Sequence, residues 1–524
     1  MPQCSKKLGL VCKNATRDPF VNYFSTFRHI ESLFELLQAA RIECLALIIR
    51  MYQPVGTLKF FKLHLRVPFL LLALLEFCIC VIAVYVAVYV RFNGRGITEV
   101  VHLESPIVTS IIFGVVMPTT MMAMGLYQSR FRGGIMGVFL RSIIGFLCGA
   151  AFLALLYYLF PQLYLGRGAF GLALLIAFFM VGTIRPIFFY YVDRDILKVR
   201  VLVLGAGQYA ASISDRLRRR VDRRGFKIVG YVPAGNVVAD TIDAELLKPI
   251  DNTSLLELCR ENQIDEVVVA VDDRRGHVPM EELLSCRLHG FDVIDVLGFF
   301  EREQGKLPLD LLRPEWLVFS DGFARSGFQD FTKRLFDVVA SLLILAITWP
   351  FMVAAYIAIK LEDGKDAPVF YQQTRVGYLG KPFGVLKFRS MTTNAEKDGV
   401  AQWATKNDSR VTRTGNIMRT TRIDELPQII NVLKGDMSFV GPRPERPEFV
   451  EQLSKEIKFY DERHAVKPGI TGWAQVSYPY GASKKDSEQK QEFDLYYIKN
   501  HTLFLDSLIL LQTAEVVLFG KGAR

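Results

Sequence analysis

The topology of this chain turns on the run Phe336–Leu361, FDVVASLLILAITWPFMVAAYIAIKL. No charge falls between Val338 and Ile359, while Lys333, Arg334 and Asp337 stand before that uncharged stretch and Lys360, Glu362 and Asp363 after it. Length and hydropathy alone make it a membrane span. Pro350 sits near its middle, after Trp349. A proline there removes a helix hydrogen bond and bends the axis. A helix that crosses puts the C-terminal third outside the cell. A helix that bends at Pro350 and returns keeps that third in the cytoplasm.

Upstream, four apolar stretches near 68–90, 107–127, 143–160 and 169–191 are long enough to span a bilayer, the third being short. Lys59, Lys62 and Arg66 precede the first; Arg130, Arg132 and Arg141 lie between the second and third; Arg194, Lys198 and Arg200 follow the fourth. The other two loops hold Arg91, Arg95 and Arg167, diluted by Glu99 and Glu104. The positive-inside rule therefore puts both ends of the bundle in the cytoplasm. Glu76 lies inside the first span and reads as a protonated or hydrogen-bonded group, with no second buried charge expected to pair with it.

The whole composition agrees. Over 524 residues, 51% are hydrophobic and 22% charged, with mean hydropathy +0.24. That excludes a disordered chain and an ordinary soluble enzyme, and asks for membrane helices plus a large soluble part. The net charge of +10 suits a membrane surface or a phosphate-bearing substrate better than nucleic acid, which is not expected as a partner. The eight cysteines show no CxxC spacing, and none follows Lys333, so a thiol nucleophile or zinc–thiolate site is excluded there.

Residues 200–300 alternate strand and helix. Arg200–Gly205 (RVLVLG) is a buried strand opening onto Gly205-Ala206-Gly207-Gln208-Tyr209-Ala210, a GxGxxA turn. Lys227–Val232, Glu266–Val271 and Asp292–Leu297 are further strands. This is a Rossmann-like, doubly wound pattern in which Gly205 and Gly207 let helix amides approach a phosphate. The second strand ends Gly230-Tyr231-Val232-Pro233, without the acidic residue that takes a ribose, which favours a structural or regulatory domain over a cofactor site. Tyr480 and Lys484 match a YxxxK pair but lie far from the glycine turn, after Pro479, and read as a loop.

After the decisive run the chain turns basic: Tyr371–Ile423 holds ten Lys/Arg and three Asp/Glu. The charges sit in short motifs containing Arg375, Lys387 and Arg389, Asp408 and Arg410, Arg419, then Asp424-Glu425-Leu426-Pro427, Arg443 and Asp494. Guanidinium forks fit phosphate oxygens, and paired carboxylates hold Mg²⁺ or supply a nucleophile. The bland reading of Asp-Glu before Pro is a solvated helix start with Asp as N-cap.

The runs KFRSM, DELPQ, NVLKGDMS, VGPRPE and VKPGITGWAQV, in this order, make Lys333–Arg524 resemble the bacterial sugar transferases, the monotopic polyprenyl-phosphate phosphoglycosyl transferases. The layout looks like their large branch of undecaprenyl-phosphate glucose and galactose phosphotransferases, closest to the exopolysaccharide-associated subfamily. The resemblance implies a bacterial inner-membrane enzyme that moves a hexose 1-phosphate from a UDP-sugar to undecaprenyl phosphate, releasing UMP, with its active site on the cytoplasmic face. It implies Asp424 as nucleophile and Glu425 as Mg²⁺ ligand, with Asp424 also near the metal. Lys387, Arg389, Arg375, Asp408, Arg410, Arg419, Arg443 and Asp494 would then surround the substrates. It implies Mg²⁺, a lipid bilayer, a homodimer, and a re-entrant helix broken at Pro350. Trp349 departs from the small residue common there.

The expected architecture is a membrane α-helical bundle, an α/β Rossmann-like domain and an α/β phosphoglycosyl transferase domain with a re-entrant membrane helix. The expected boundaries are 1–56, a leader or translation from an upstream start; 57–196 bundle; 197–315 Rossmann-like; 316–332 linker; and 333–524 catalytic, with the re-entrant helix at 336–361. Leu503–Phe519 is expected as an interfacial helix or a plain core helix. The alternatives are a membrane-tethered nucleotide-sugar dehydratase or epimerase, and a scaffold role for the N-terminal two-thirds.

Overall fold

The computed structural model describes residues 57–518 apart from connecting segments, among them 93–105, 128–133, 235–241, 249–253, 273–277 and 393–409. The expected leader 1–56 lies outside the described residues, as does Asp408. An antiparallel hairpin, Thr57–Phe60 with Leu63–Arg66, runs into helix Val67–Phe92. Helices Pro106–Ala123, Gly134–Leu159 and Arg167–Asp193 complete a bundle. In hydrocarbon the backbone must satisfy its own polar groups, so these apolar runs are helical throughout. The first helix packs on the second and fourth. Ala83, Ala87, Ala173 and Ala177 are fully buried, which lets the backbones approach. Leu147, Tyr158 and Phe179 face outward, as a lipid-facing surface requires.

The second helix ends at Ala123 rather than near 127, and the third starts at Gly134 and has 26 residues rather than being short. Arg141 is therefore inside a helix and not in a loop; its Nη1 donates to the Met124 carbonyl at 3.1 Å.

Glu76 does have a charged partner, contrary to the sequence reading. Arg185 of the fourth helix donates Nε to Oε1 at 2.7 Å and Nη2 to Oε2 at 2.8 Å. Tyr127 donates to the same carboxylate, and its ring lies 5.1 Å from the guanidinium carbon. Glu76 is 0% and Arg185 1% exposed. Burial of either charge alone would be prohibitive, and the bidentate pair offsets both desolvations.

The middle of the chain forms a four-stranded parallel sheet. Its spatial order is Phe226–Val232, Val199–Leu204, Glu266–Val269, Asp292–Asp295. Strands buried on both faces read as continuous apolar runs, and Val201–Leu204 and Glu266–Val269 are buried throughout. The fourth strand stops two residues earlier than expected. Asp295 accepts from the Gly298 amide at 2.9 Å and caps a helix, Val296–Gln304, which takes Val296 and Leu297.

The segment expected as a linker carries helix Pro314–Phe319 and the start of a single 37-residue helix, Gly327–Asp363. Ser326 and Gln329 form its capping box, and the helix runs on through Pro350. Both of its ends are fastened to the same α/β body. At the first end Lys333 donates to Asp506 at 2.7 Å, Arg334 to the carbonyls of Val432 and Leu433, and Asp337 accepts from Ser438 and Phe439. At the other, Ala355 and Ile359 pack with Val369, Phe388 and Met418. There Glu362 accepts from the amides of Arg413 and Thr414, and Asp363 from Arg389 at 2.6 Å. Between the ends Leu342, Leu343, Ile347, Trp349 and Phe351 are exposed.

The α/β body contains an antiparallel hairpin, Phe370–Val376 with Pro382–Phe388, and a parallel pair, Ser438–Val440 with Gly469–Thr471. Helix Lys484–Asn500 buries every residue from Gln491 to Asn500, because a second surface covers its polar side. Glu492 takes Lys306 at 2.5 Å, Lys499 reaches Glu301 at 2.7 Å, and Trp473 Nε1 donates to the Gly305 carbonyl at 2.7 Å. The segment expected as an interfacial or a core helix is helical over Leu503–Leu518. Leu505, Asp506, Leu508 and Ile509 are buried in it, and it packs on Pro106–Ala123.

Candidate active site

Helix Arg413–Thr421 starts under a Thr412 cap and ends where Arg422 adopts a left-handed conformation, φ 59°. That reversal opens a tight 3₁₀ turn, Ile423–Glu425, before helix Gln428–Lys434. A non-glycine residue in this region costs on the order of 1 kcal/mol, held here by the surrounding fold. Asp424 is not an N-cap: Pro427 occupies that position, and Asp424 is 8% exposed. Asn431 ties this helix to the neighbouring strand, accepting from Leu386 N at 2.9 Å and donating to Gly384 O at 2.8 Å. It thereby sets Lys387 against the turn.

Three cations converge on Glu425. Lys387 Nζ lies 3.3 Å and Arg443 Nη2 3.4 Å from Oε1, and Arg422 Nη1 3.6 Å from Oε2. Burial pushes its carboxyl up, but Arg443, Lys387 and Arg422 together hold it down at about 2. Asp424 moves the other way, to about 6, through burial and the adjacent Glu425 charge, against Lys387, Arg419 and Arg422. Its Oδ1 is buried without a hydrogen-bond partner. Two neighbouring carboxylates thus sit in opposite surroundings: Glu425 is paired with three cations that hold its carboxyl low, and Asp424 is pushed up with an unpartnered oxygen.

The other expected site residues divide into two groups. Lys387 and Arg443 touch the dyad. Arg419 donates Nε to Ser390 Oγ at 3.0 Å and acts on Asp424 through its charge. Arg375 stands one step back, bonded to Gln373, the Pro444 carbonyl and Glu445, so it holds the segment that carries Arg443. Arg389 faces Asp363 of the long helix rather than the dyad. The Arg410 carbonyl accepts from Thr392 N, pairing the two flanks of 393–409. Asp494 is 2% exposed and is held by Arg463 at 2.9 Å; burial raises its carboxyl to about 6 against that pairing. Arg463 also donates to the Arg443 carbonyl at 3.1 Å, so Asp494 is linked through it to the segment that carries Arg443.

Arg422 and Arg463 are absent from the expected set. Arg422 stands two residues before Asp424, and adjacency to the dyad was the available signal. Arg463 lies in Asp461-Glu462-Arg463-His464, which carries no spacing that marks it, and only the tertiary contact reveals it.

The glycine turn of the parallel sheet is closed by the chain itself. Gly205 has φ +118°, and a Cβ there would collide with the Ala270 carbonyl oxygen. Beyond it, the Asp272 carboxylate accepts from the amides of Gln208 and Tyr209, each at 2.7 Å. A carboxylate therefore sits where a phosphate would sit at a helix N-terminus, and Gly207 has no side chain because Asp272 takes the space. Lys484, from the YxxxK match, begins a helix capped by Ser483 and pairs with Glu456 at 3.3 Å.

A divalent cation is compatible with the dyad. Among the described residues no group of three or more His, Cys, Asp or Glu is gathered for a metal. Asp424 Oδ1 is an unengaged buried oxygen beside Glu425. Mg²⁺ takes one or two carboxylates and completes its shell with substrate phosphates and water, and Asp424 with Glu425 would supply the carboxylates.

Residues 328–520 match the bacterial sugar transferase family. The chain is similar to a UDP-N-acetylgalactosamine-undecaprenyl-phosphate N-acetylgalactosaminephosphotransferase of Aeromonas hydrophila, 44% identical over 242 residues, covering 46% of this chain and 56% of the relative. It is similar to a UDP-glucose:undecaprenyl-phosphate glucose-1-phosphate transferase of Xanthomonas campestris pv. campestris, 35% identical over 338 residues, covering 62% and 67%. It is also similar to an undecaprenyl-phosphate galactose phosphotransferase of Salmonella typhimurium, 31% identical over 347 residues, covering 63% and 70%. The first of these is matched over little more than half its length.

Proposed function

The chain belongs to the bacterial sugar transferase family, and from that premise we propose that it is a membrane phosphotransferase moving a sugar 1-phosphate from a UDP-sugar to undecaprenyl phosphate. The supporting observation is the dyad: a raised, unengaged Asp424 carboxylate beside a Glu425 clamped by Lys387, Arg422 and Arg443.

In this reading an Asp424 oxygen attacks the sugar-linked phosphorus. The bond from that phosphorus to the bridging oxygen breaks, and UMP leaves with the oxygen and the electron pair. An oxygen of the lipid phosphate then attacks the same phosphorus and the Asp424 carboxylate leaves. No proton needs to move in either half if both attacking oxygens are ionised. Lys387, Arg419 and Arg443 neutralise the diphosphate charge, which is the main requirement of phosphoryl transfer. Asp424 and Glu425 would hold Mg²⁺, which supplies further charge neutralisation at the phosphates. Asn431 and Arg463 keep Lys387 and Arg443 in place.

The long helix is proposed as re-entrant. Its two ends are fastened to one α/β body while its middle is apolar and exposed, an arrangement that favours return over crossing. With the charge asymmetry of the bundle, the dyad then lies at the cytoplasmic face of a bacterial inner membrane, where UDP-sugars are. The sheet domain is read as Rossmann-like in topology and structural in role, and a homodimer is part of the same proposal. The dehydratase or epimerase reading is disfavoured by Asp272 in the phosphate position. The relatives act on N-acetylgalactosamine, glucose and galactose donors by name, so the sugar is chosen by assay. Purified protein with undecaprenyl phosphate is expected to release UMP from one of a panel of UDP-sugars, and Asp424→Asn to release none. Full turnover in Asp424→Asn defeats the assignment.

A further inference from the structure

Helix Lys484–Asn500 carries polar side chains on opposite sides, and different parts of the chain hold them. At about 3.6 residues per turn Gln489, Glu492, Lys499 and Asn500 share one side, while Asp494 lies about 160° round the axis from Glu492. The first side is held by the sheet domain. Lys306 Nζ donates to Glu492 Oε2 at 2.5 Å and to Gln489 Oε1 at 2.7 Å, and the Leu307 amide donates to the Glu492 carbonyl at 3.0 Å. Glu301 accepts from Lys499 Nζ and Asn500 Nδ2, each at 2.7 Å. Arg216, at the end of the helix that leaves the glycine turn, lies 3.6 Å from Glu492 Oε1. Glu301, Lys306, Glu492, Lys499 and Asn500 are all buried. Charge-assisted bonds in such surroundings are strong and little screened, so they fix the helix both in rotation and along its axis.

The opposite side leads to the dyad. Asp494 accepts from Arg463 Nη2 at 2.9 Å, the same nitrogen donates to the Arg443 carbonyl at 3.1 Å, and Arg443 Nη2 lies 3.4 Å from Glu425 Oε1. A second connection starts from the same stretch of the sheet domain. Trp473 Nε1 donates to the Gly305 carbonyl at 2.7 Å. Gly305 has φ +58°, and a Cβ there would stand 3.2 Å from the Trp473 ring, so glycine serves both the turn and the close approach. Trp473 follows strand Gly469–Thr471, whose partner strand, Ser438–Val440, runs on into Arg443.

We propose that the sheet domain places Arg443 at the dyad, with Glu301 and Lys306 as positioning residues that act through helix Lys484–Asn500, Asp494 and Arg463. The inference rests on the phosphotransferase reading above and gives the sheet domain a part in the reaction. Arg443 neutralises the donor's diphosphate only while its guanidinium stays within reach, and a displacement of about 1 Å can lower a rate on the order of a hundredfold. A grip that only stabilised the protein would not single out Arg443 among the cations around Glu425.

The test measures UMP release by the full chain in nanodiscs. Glu301→Gln/Lys306→Met is expected to lower kcat about tenfold. In an Arg443→Gln background the same double change should cost less than about twofold, because the group it positions is gone. In a Lys387→Gln background it should keep its full effect, since Lys387 is supported by Asn431 instead. Glu301→Gln alone, which preserves volume, should show the same dependence on Arg443 at about threefold. Equal losses with and without Arg443, or a loss below about twofold in both variants, overturn the proposal. Hydrogen exchange reads the same link without substrate: the amides of Phe439, Val440, Gly441 and Arg443 should exchange at least about threefold faster in the double variant, with Pro382–Phe388 unchanged. Unchanged exchange at those four amides also overturns it. Absence of UMP release from every UDP-sugar defeats the proposed function, while the exchange comparison still decides the link.

Discussion

Glu76→Gln is the perturbation whose size follows most directly from the geometry. It leaves Arg185 charged inside the bundle, with a neutral amide in place of a carboxylate that accepted at 2.7 and 2.8 Å. Both partners are excluded from solvent, so no water replaces the lost charge. Arg185 stands near the end of its span, Arg167–Phe188, so the insertion-scale cost of about 2.5–3.5 kcal/mol for a cation at the helix centre is an upper bound for it, while removing one member of a buried pair costs about 3–5 kcal/mol. Interhelical polar contacts in membranes are often weaker, averaging about 0.6 kcal/mol, because the separated helices find other partners. Here the orphaned charge outweighs that relief, so the expected loss is about 3 kcal/mol. Arg185→Met alone should cost a similar amount by stranding Glu76. The double variant Glu76→Gln/Arg185→Met should recover most of it, a coupling of at least ~1.5 kcal/mol. Denaturation in mixed micelles, followed by helical circular dichroism, reads all four corners of the cycle. Additive losses, or a Glu76→Gln loss below about 0.5 kcal/mol, would refute the claim that the pair locks the first helix to the fourth.

Three further outcomes are expected. Asp424 must be ionised to attack, and burial with Glu425 raises its carboxyl to about 6 before a cation binds, so single-turnover UMP release without lipid at limiting Mg²⁺ should fall as pH drops below about 6, and the fall should move to lower pH as Mg²⁺ is raised, because the cation favours the carboxylate. A flat profile from pH 5 to 8 contradicts this. Asn431→Ala removes the tie between the dyad helix and the Lys387 strand, and should lower kcat by about tenfold or more with little change in the KM for the UDP-sugar. Unchanged kcat would show that Lys387 needs no such support. Asp272→Ala removes the carboxylate at the glycine-turn helix and should cost about 1 kcal/mol of stability. Wild-type protein should show no NAD binding by calorimetry, and tight binding would reverse the reading of that turn.

Periodicity and local motifs make much of the fold legible. Apolar runs locate the membrane helices, and the RVLVLG strand with its glycine turn announces the parallel sheet, because these signals lie within a few residues. Contacts between distant segments are not legible. Arg185 sits 109 residues from Glu76, and nothing near either one marks them as partners. Arg463 is invisible for the same reason. Helix Lys484–Asn500 misleads in the opposite sense: Glu492, Lys499 and Asn500 look like a solvated face, yet they are buried because Lys306 and Glu301 arrive from the preceding domain. At the dyad, the residue types point to phosphate chemistry, but the separation of the two carboxyls arises from burial and from Arg422 in its left-handed turn. Asp494 fits a substrate ligand by residue type, and the Arg463 guanidinium on one of its carboxylate oxygens is a contact that no local spacing announces.

The central claim is that Asp424 becomes bonded to the sugar-bearing phosphorus between the two substrates. Rapid quenching of the protein with its UDP-sugar in the absence of lipid, followed by mass spectrometry of the peptide containing residue 424, measures this directly. A sugar phosphate on Asp424 is expected, formed with one equivalent of UMP and discharged when undecaprenyl phosphate is added. An unmodified Asp424 in protein that turns over only when both substrates are present would contradict it.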